Sequence, residues 1–170
     1  MGAPVAIPVT ALTPLIPVGT DRSAAVEDPA ATEEIVLADL TDVVVQREIV
    51  ISGAGIGVGD GATFTNEITT ADGEHLAELT GAVTIVHVRP GDHRIFGFYR
   101  EFLTFADGTA RTMGIVDITA TMAGQGQSID AYGLSGRYRG TAGSRSYLQT
   151  DKPDTFHAEI VLRAPAAKPQ

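Results

Sequence analysis

The chain has 170 residues, with 12 Lys and Arg against 21 Asp and Glu for a net charge of −9. A charge this negative repels a phosphate backbone, so we expect no nucleic-acid partner. The absence of Cys excludes disulfide scaffolds, thiolate metal sites and cysteine nucleophiles.

The first 40 residues differ in composition from the rest, being rich in Ala, Pro and Val and then acidic. Prolines at 4, 8, 14 and 17 break any helix there. The first basic residue is Arg22, so the basic region of a secretory signal is missing, as is a span of about 20 unbroken apolar residues. We therefore expect a cytoplasmic protein without a membrane segment.

Two interpretations of residues 1–40 stay open. One is a disordered tail. The other is an apolar arm that packs on the domain or closes as a lid over a cavity. Its apolar residues would be Val5, Ile7, Leu12, Leu15 and Ile16. Asp28-Pro29 is typical of a helix start and predicts a short helix over residues 30–40.

From Val43 onward the pattern is that of β-strands. Dense β-branched or alternating segments predict eight strands, at residues 43–51, 63–70, 75–88, 94–105, 109–122, 127–134, 144–149 and 155–162. Turn sequences such as Asp72-Gly73 and Asp107-Gly108 separate most of them. Short connections without a helical period indicate an all-β meander or barrel. We expect this domain at residues 41–164, with a C-terminal tail at 165–170.

Alternation assigns the faces of two strands. In residues 110–122, Val116 and Ile118 share an apolar face. In residues 94–105 both faces are apolar, and a strand of that kind needs cover on both sides. Its two faces carry Phe96, Phe98 and Phe102 on one side and Ile95, Tyr99, Leu103 and Phe105 on the other. The second cover would be the N-terminal arm or another subunit, and we favour a homodimer.

Other motifs are weak. Gly57-x-Gly59-x-x-Ala62 superficially matches a dinucleotide fingerprint, but the β-branched residues that follow do not form the required helix. The four His residues share no close ligand spacing, so no metal site is predicted. Arg137 and Arg139 lie in a glycine-rich stretch, and solvated charges are favoured there over an anion site. Three carboxylates, Glu67, Glu101 and Asp117, are candidates to point inward, but the pattern favours solvated outer positions.

Three segments resemble a known family. They are Val86-His-Val-Arg-Pro90, Tyr99-Arg-Glu101 with Asp107-Gly108, and Gly133-Leu-Ser-Gly-Arg-Tyr-Arg-Gly-Thr-Ala-Gly143. They are similar to the small β-barrel cyclases of bacterial spirotetronate polyketide pathways. These are [4+2] cyclases, or Diels–Alderases, whose barrel resembles that of allene oxide cyclase. The similarity runs from about residue 43 to residue 162.

The resemblance implies an eight-stranded antiparallel barrel preceded by an N-terminal extension. It implies an enzyme whose small-molecule substrate is a linear polyketide with a conjugated diene and an exocyclic-methylene tetronate. That substrate folds inside the barrel and closes to a spirotetronate without a metal or organic cofactor. Two alternatives are a non-catalytic carrier of an apolar molecule and another barrel cyclase or isomerase of unsaturated lipids or polyketides.

The resemblance also implies site residues. Phe64 and Tyr99 match lumenal positions of the family. Four further lumenal positions carry aromatics, Trp and Met in the family, but Ile118, Ile129, Tyr147 and Gln149 here, which implies a smaller and more polar pocket. We expect Tyr99, Tyr147 and Gln149 to be the catalytic hydrogen-bond donors. The expected substrate-binding wall comprises Phe64, Ile118, Ile129, Phe105 and Val116.

Overall fold

The structure, a computed structural model, describes residues 33 to 165. These residues form eight strands and one short helix: β1 (Glu34–Val50), β2 (Gly61–Thr69), β3 (His75–Val88), β4 (Ile95–Phe105), β5 (Gly108–Asp117), α1 (Ile118–Met122), β6 (Gln127–Gly136), β7 (Ala142–Gln149) and β8 (Thr155–Arg163). Each strand pairs antiparallel with the next, and β8 pairs with β1, which closes the barrel. The predicted eight-stranded antiparallel barrel is confirmed.

The first strand begins earlier than the composition indicates. Glu34 pairs with Arg163 and Ile35 with Leu162, so the short helix predicted over residues 30–40 is wrong from Glu34 onward. The last residues of β8 need a hydrogen-bonded neighbour on their open edge, and this pairing overrides the weak local helix signal. The barrel thus takes in residues 34 to 40. The rest of the predicted arm, residues 1 to 32, lies outside the described residues.

One end of the barrel is filled by apolar side chains, which we call the apolar plug. Its members are Ile35, Ile68, Ala77, Leu79, Leu103, Phe105, Ala110, Ala131, Tyr138, Ile160 and Leu162. Leu79 of β3 lies opposite Leu103 of β4, and both are fully buried. Burial of each Leu or Ile side chain stabilises the fold by about 1.5–3 kcal/mol relative to exposure. The plug leaves room inside the barrel only toward the opposite end.

The two faces of β4 are those predicted by alternation. Leu103 and Phe105 are buried inside the barrel, whereas Phe102 is 42% exposed on the outside. Phe98 lies next to Ile115 of β5, which is 65% exposed. The outer side of β4 and β5 therefore carries an apolar strip that nothing within residues 33 to 165 covers and that the exposed Arg100 interrupts between Phe98 and Phe102.

The fifth predicted strand, residues 109–122, is too long, because β5 ends at Asp117 and α1 follows. A carboxylate oxygen of Asp117 accepts a hydrogen bond from the Ala120 backbone N–H at 2.9 Å, which caps the helix. The other carboxylate oxygen pairs with Arg94. This capping turns the chain across the barrel end, so Ile118 sits on a helix rather than on the predicted strand face.

Candidate active site

A cavity of about 270 Å³ occupies the half of the barrel opposite the apolar plug. It lies toward the end where β1 finishes and β2 begins. Side chains from the inner faces of β1 to β4, β7 and β8 line it, together with α1. Its volume lies just below the range of about 300–1,000 Å³ that is usual for small-molecule sites.

Aromatic side chains form two walls of the cavity. Phe64 of β2 and Tyr99 of β4 have ring centroids 6.0 Å apart. Tyr147 of β7 and Phe156 of β8 meet edge to face at 5.9 Å. Such pairs hold one another in fixed orientations. The walls are thus apolar and pre-arranged, with two phenol groups among them.

Burial sets the protonation of the two tyrosines. It raises the pKa of Tyr99 to about 12, and the nearby Glu101 carboxylate adds to the shift. Burial also raises the pKa of Tyr147. A tyrosine is already protonated at neutral pH, and because the charged form is poorly solvated inside the barrel both phenols stay protonated further into the alkaline range. Each remains able to donate a hydrogen bond.

Four polar residues form the bottom of the cavity, which we call the polar floor: Asp42, Asn66, Glu101 and Arg145. Arg145 Nη1 lies 3.1 Å from Glu101 Oε2, and Arg145 Nη2 pairs with Asp42. Asn66 Nδ2 donates to Asp42 Oδ1 at 2.7 Å. Thr112 donates its hydroxyl to Glu101. Two carboxyl groups thus share one guanidinium in the floor.

The charge of Arg145 is held by its partners. Burial alone would lower the pKa of the guanidinium, but Glu101 and Asp42 act in the opposite direction and the net shift is upward. The guanidinium carbon also lies 4.8 Å from the ring centroid of Tyr147, a cation–π contact. Arg145 therefore joins the floor to the aromatic wall.

The solvated position predicted for Glu101 is wrong, because Glu101 is only 6% exposed and points inward. Along β4 it shares the side of Tyr99, Leu103 and Phe105, so alternation alone identifies its face. Arg145 likewise lies two residues before Tyr147 and four before Gln149 on β7, so the three side chains share one face of the strand. The Tyr99-x-Glu101 and Arg145-x-Tyr147 spacings were the signals that locate the floor.

The other two candidate carboxylates lie elsewhere. Glu67 is exposed on β2, as predicted. Asp117 is neither solvated on an outer face nor lumenal, since it caps α1 and pairs with Arg94.

Five of the eight predicted site residues line the cavity: Phe64, Tyr99, Ile118, Tyr147 and Gln149. The other three do not. Ile129 fills the space beside Gly114 in the wall, where an added Cβ would lie 2.7 Å from its Cγ2 atom. Phe105 stacks on Tyr138 at 4.5 Å in the apolar plug, because it ends β4 at the closed end. Val116 is fully buried in the core.

The rim of the cavity combines an ion pair with the short helix. Arg47 Nη2 lies 2.5 Å from Asp154 Oδ1, and both residues are substantially exposed. From α1, Thr121 and Met122 join Ile118 in lining the cavity, and Met122 is 76% exposed. Because α1 was predicted as a strand, Thr121 and Met122 were not identified from the sequence.

The described part of the chain, residues 33 to 165, holds no group of three or more His, Asp or Glu placed to bind a metal ion. Over the same residues, the one helix is too short to cross a membrane.

Comparison with known families places the fold. Residues 32–162 match the family described as the allene oxide cyclase barrel-like domain. The chain belongs to this family. The match covers all of the barrel but the last residue of β8, including residues 34 to 40 of β1, which composition had assigned to the N-terminal arm.

Solved structures of this barrel type are similar to the chain. One is described as a nonspecific heme-binding cyclase that catalyses a [4+2] cycloaddition during neoabyssomicin biosynthesis. It is 32% identical at a TM-score of 0.71, over 78% of this chain and 65% of that one. The Diels–Alderase AbmU from Streptomyces koyangensis is 31% identical at the same TM-score, over 78% and 64%. The resemblance to [4+2] cyclases is confirmed, and the chain spans less than two thirds of the length of either protein.

Two more distant structures share the fold. AbnU, an exo-specific intermolecular Diels–Alderase, is 24% identical at a TM-score of 0.71, over 79% of this chain and 99% of that one. Pyocyanin demethylase is 15% identical at a TM-score of 0.60, over 76% and 99%. A barrel of this type thus carries different chemistries, so the residues of the site and not the fold decide the reaction.

Proposed function

We propose that the chain is a cyclase that catalyses an intramolecular [4+2] cycloaddition of a linear diene–tetronate polyketide inside the cavity. The observation that carries the proposal is the aromatic cavity with a protonated phenol, Tyr99, in its wall. The two cyclases that are more than 30% identical to the chain support it. The reaction is the closure of a spirotetronate.

For this reaction the protein mainly has to hold the diene and the alkene in a reactive orientation. In a [4+2] closure the three π bonds of diene and alkene become two carbon–carbon σ bonds and one new π bond in the ring, and no proton is transferred and nothing is oxidised or reduced. No acid, base or cofactor is needed for this bond change. A rigid cavity that holds both ends in contact supplies part of the roughly 7–11 kcal/mol available from ideal pre-organisation. The paired rings of Phe64 and Tyr99 give the cavity such a wall.

A hydrogen bond to the tetronate carbonyl adds electrostatic stabilisation, because electron density shifts toward that oxygen as the alkene reacts. Tyr99 is our first candidate for the donor, since its phenol lies in the cavity wall beside Phe64 and stays protonated. Tyr147 and Gln149 are the other candidates. Phe64 and Ile118 would contact the hydrocarbon part of the substrate. Three further residues would support the cavity wall without lining it: Ile129 and Val116 behind the wall, and Phe105 in the apolar plug.

We also propose that two copies associate through the apolar strip of β4 and β5. Ile115 is exposed directly opposite Phe98, and Phe102 is exposed four residues further along β4, beyond Arg100. Burial of such a strip against its own copy removes apolar surface from water. Light scattering of the purified chain should give a dimer, and Ile115→Glu a monomer. A monomeric parent chain would contradict this proposal.

The experiment for the cyclase proposal also separates it from a carrier. Purified chain is incubated with a linear diene–tetronate polyketide, and the diene absorbance and the mass and retention of the extracted molecule are followed. A cyclase gives loss of diene absorbance and a new retention time at constant mass. A carrier returns the molecule unchanged, which would overturn the proposal.

A further inference from the structure

Three buried polar atoms of residues that line the cavity have no hydrogen-bond partner within residues 33 to 165. One is Nε of Arg145, whose two terminal nitrogens pair with Asp42 and Glu101. The other two are the Tyr147 hydroxyl and the Asn66 side-chain oxygen. The two residues are only 7% and 4% exposed, and both line the cavity. A buried polar group without a partner costs about 1–3 kcal/mol, so nearly all such groups in proteins are paired. These two atoms therefore point to something that the cavity binds.

The orientation of the Asn66 amide is fixed by its neighbour. A carboxylate accepts hydrogen bonds only, so the amide nitrogen of Asn66 must face Asp42, to which it donates at 2.7 Å. This leaves Oδ1 as a free acceptor with a defined position. The ring of Tyr147 is in turn held by Arg145, 4.8 Å away, and by Phe156. Both unpaired atoms thus sit on side chains that are already immobilised.

The charge of the floor restricts what can bind there. Asp42 and Glu101 share the single guanidinium of Arg145, so the floor has no cation in excess to receive an acidic group. A further anion at this depth would meet two carboxyl groups in a medium that screens poorly. A hydroxyl meets the opposite conditions, because it is neutral, donates to an amide oxygen and accepts from a phenol.

We propose that Asn66 and Tyr147 form a subsite for a hydroxyl group on the ligand. Since the acidic tetronate is disfavoured at the polar floor, the hydroxyl group belongs to the end of the polyketide that is remote from the tetronate. The tetronate then lies between the polar floor and the rim of the cavity, at the level of the Tyr99 side chain. This orientation rests on the proposed cyclase function, whereas the subsite itself does not.

The test uses two linear diene–tetronate chains that are identical except at the remote end, where one carries a hydroxyl and the other a methyl group. The dissociation constant of each ligand is measured by calorimetry with the full-length protein. The parent protein should prefer the hydroxyl ligand by about fivefold to tenfold, the value of one net hydrogen bond. Tyr147→Phe should reduce this preference toward equal binding of the two ligands.

Asn66→Leu is a second variant with the same expectation, and Tyr147→Phe carries the test if loss of the Asp42 contact prevents folding. Tyr138→Phe is the matched control, since Tyr138 is a buried tyrosine of the apolar plug and should leave the preference unchanged. Equal binding of both ligands by the parent protein would overturn the subsite, whatever the turnover. A hydroxyl preference without conversion of either ligand would support the subsite and contradict the cyclase function.

Discussion

Arg145 and Tyr147 lie two residues apart on β7 and both project into the barrel, where the guanidinium carbon is 4.8 Å from the centre of the phenol ring. This contact joins the charged floor of the cavity to its aromatic wall. The polar floor thus closes the cavity with both of its carboxyl groups paired, and Arg145 also holds the ring of Tyr147 in position.

Removal of the floor's cation should destabilise the whole barrel. Arg145→Met leaves Asp42 and Glu101 buried without their counter-charge, which costs about 3–5 kcal/mol in comparable sites. Urea unfolding of the variant and the parent chain measures the difference. The control is Arg163→Met, because Arg163 pairs with Glu34 at the surface and should contribute less than about 1 kcal/mol. Equal losses in both variants would contradict the buried network.

Alkaline pH should destabilise the barrel through its buried tyrosines. The pKa of Tyr99 is about 12 in the fold against an ordinary value of 10.0, so the unfolded chain releases this proton first. The folded chain then binds more protons than the unfolded one, and stability falls as pH rises from about 10 through 12. Tyr147 acts in the same direction. Unfolding free energies measured up to pH 11 should decline less steeply in Tyr99→Phe, and an identical decline would contradict the buried phenol.

The short helix at the rim should depend on Asp117. Asp117→Ala removes both the cap of α1 and the pair with Arg94, and we expect a loss of about 0.5–2 kcal/mol. Since Ile118, Thr121 and Met122 of α1 line the cavity, KM should rise as well. Asp117→Asn keeps a capping oxygen and loses only the surface pair, so it should resemble the parent chain. If Asn is as damaging as Ala, the ion pair rather than the cap holds the helix.

Residues 1 to 32 lie outside the described residues, and the lid proposed from their apolar composition is tested by truncation. The cut belongs before Glu34, because strand β1 starts there and pairs with β8. A chain that begins at residue 32 should keep its melting temperature and lose turnover severalfold if the segment excludes water from the cavity. Unaltered turnover would instead favour a tail without a part in the reaction.

Much of the barrel was visible in the sequence, since β-branched alternation and Asp-Gly turns locate most strands. The errors arose where a tertiary contact decides the outcome. Residues 34 to 40 become a strand because β8 offers an open edge, and residues 118 to 122 become a helix because Asp117 can cap it. In the site, alternation places Tyr99 and Tyr147 correctly but says nothing about depth, so Phe105 was assigned to the lumen although it lies at the plugged end.

The polar floor was the largest omission. Glu101 and Arg145 come from strands distant in the sequence, and only the closed barrel shows that each is the partner of the other. A charged side chain is costly to bury unless it is paired. Here Glu101 and Arg145 occupy lumenal positions because Arg145 pairs with both Glu101 and Asp42.

The central claim, that the cavity closes a diene–tetronate with help from the Tyr99 phenol, is tested most directly by initial rates of diene loss. The parent chain, Tyr99→Phe and Tyr132→Phe are compared with buffer, Tyr132 being a tyrosine beside Arg111 on the outside of the barrel. We predict acceleration by the parent chain, an unchanged rate for Tyr132→Phe and a loss of about 10-fold or more for Tyr99→Phe at an unchanged melting temperature. A parent rate equal to that of buffer, over several such substrates, would contradict the account.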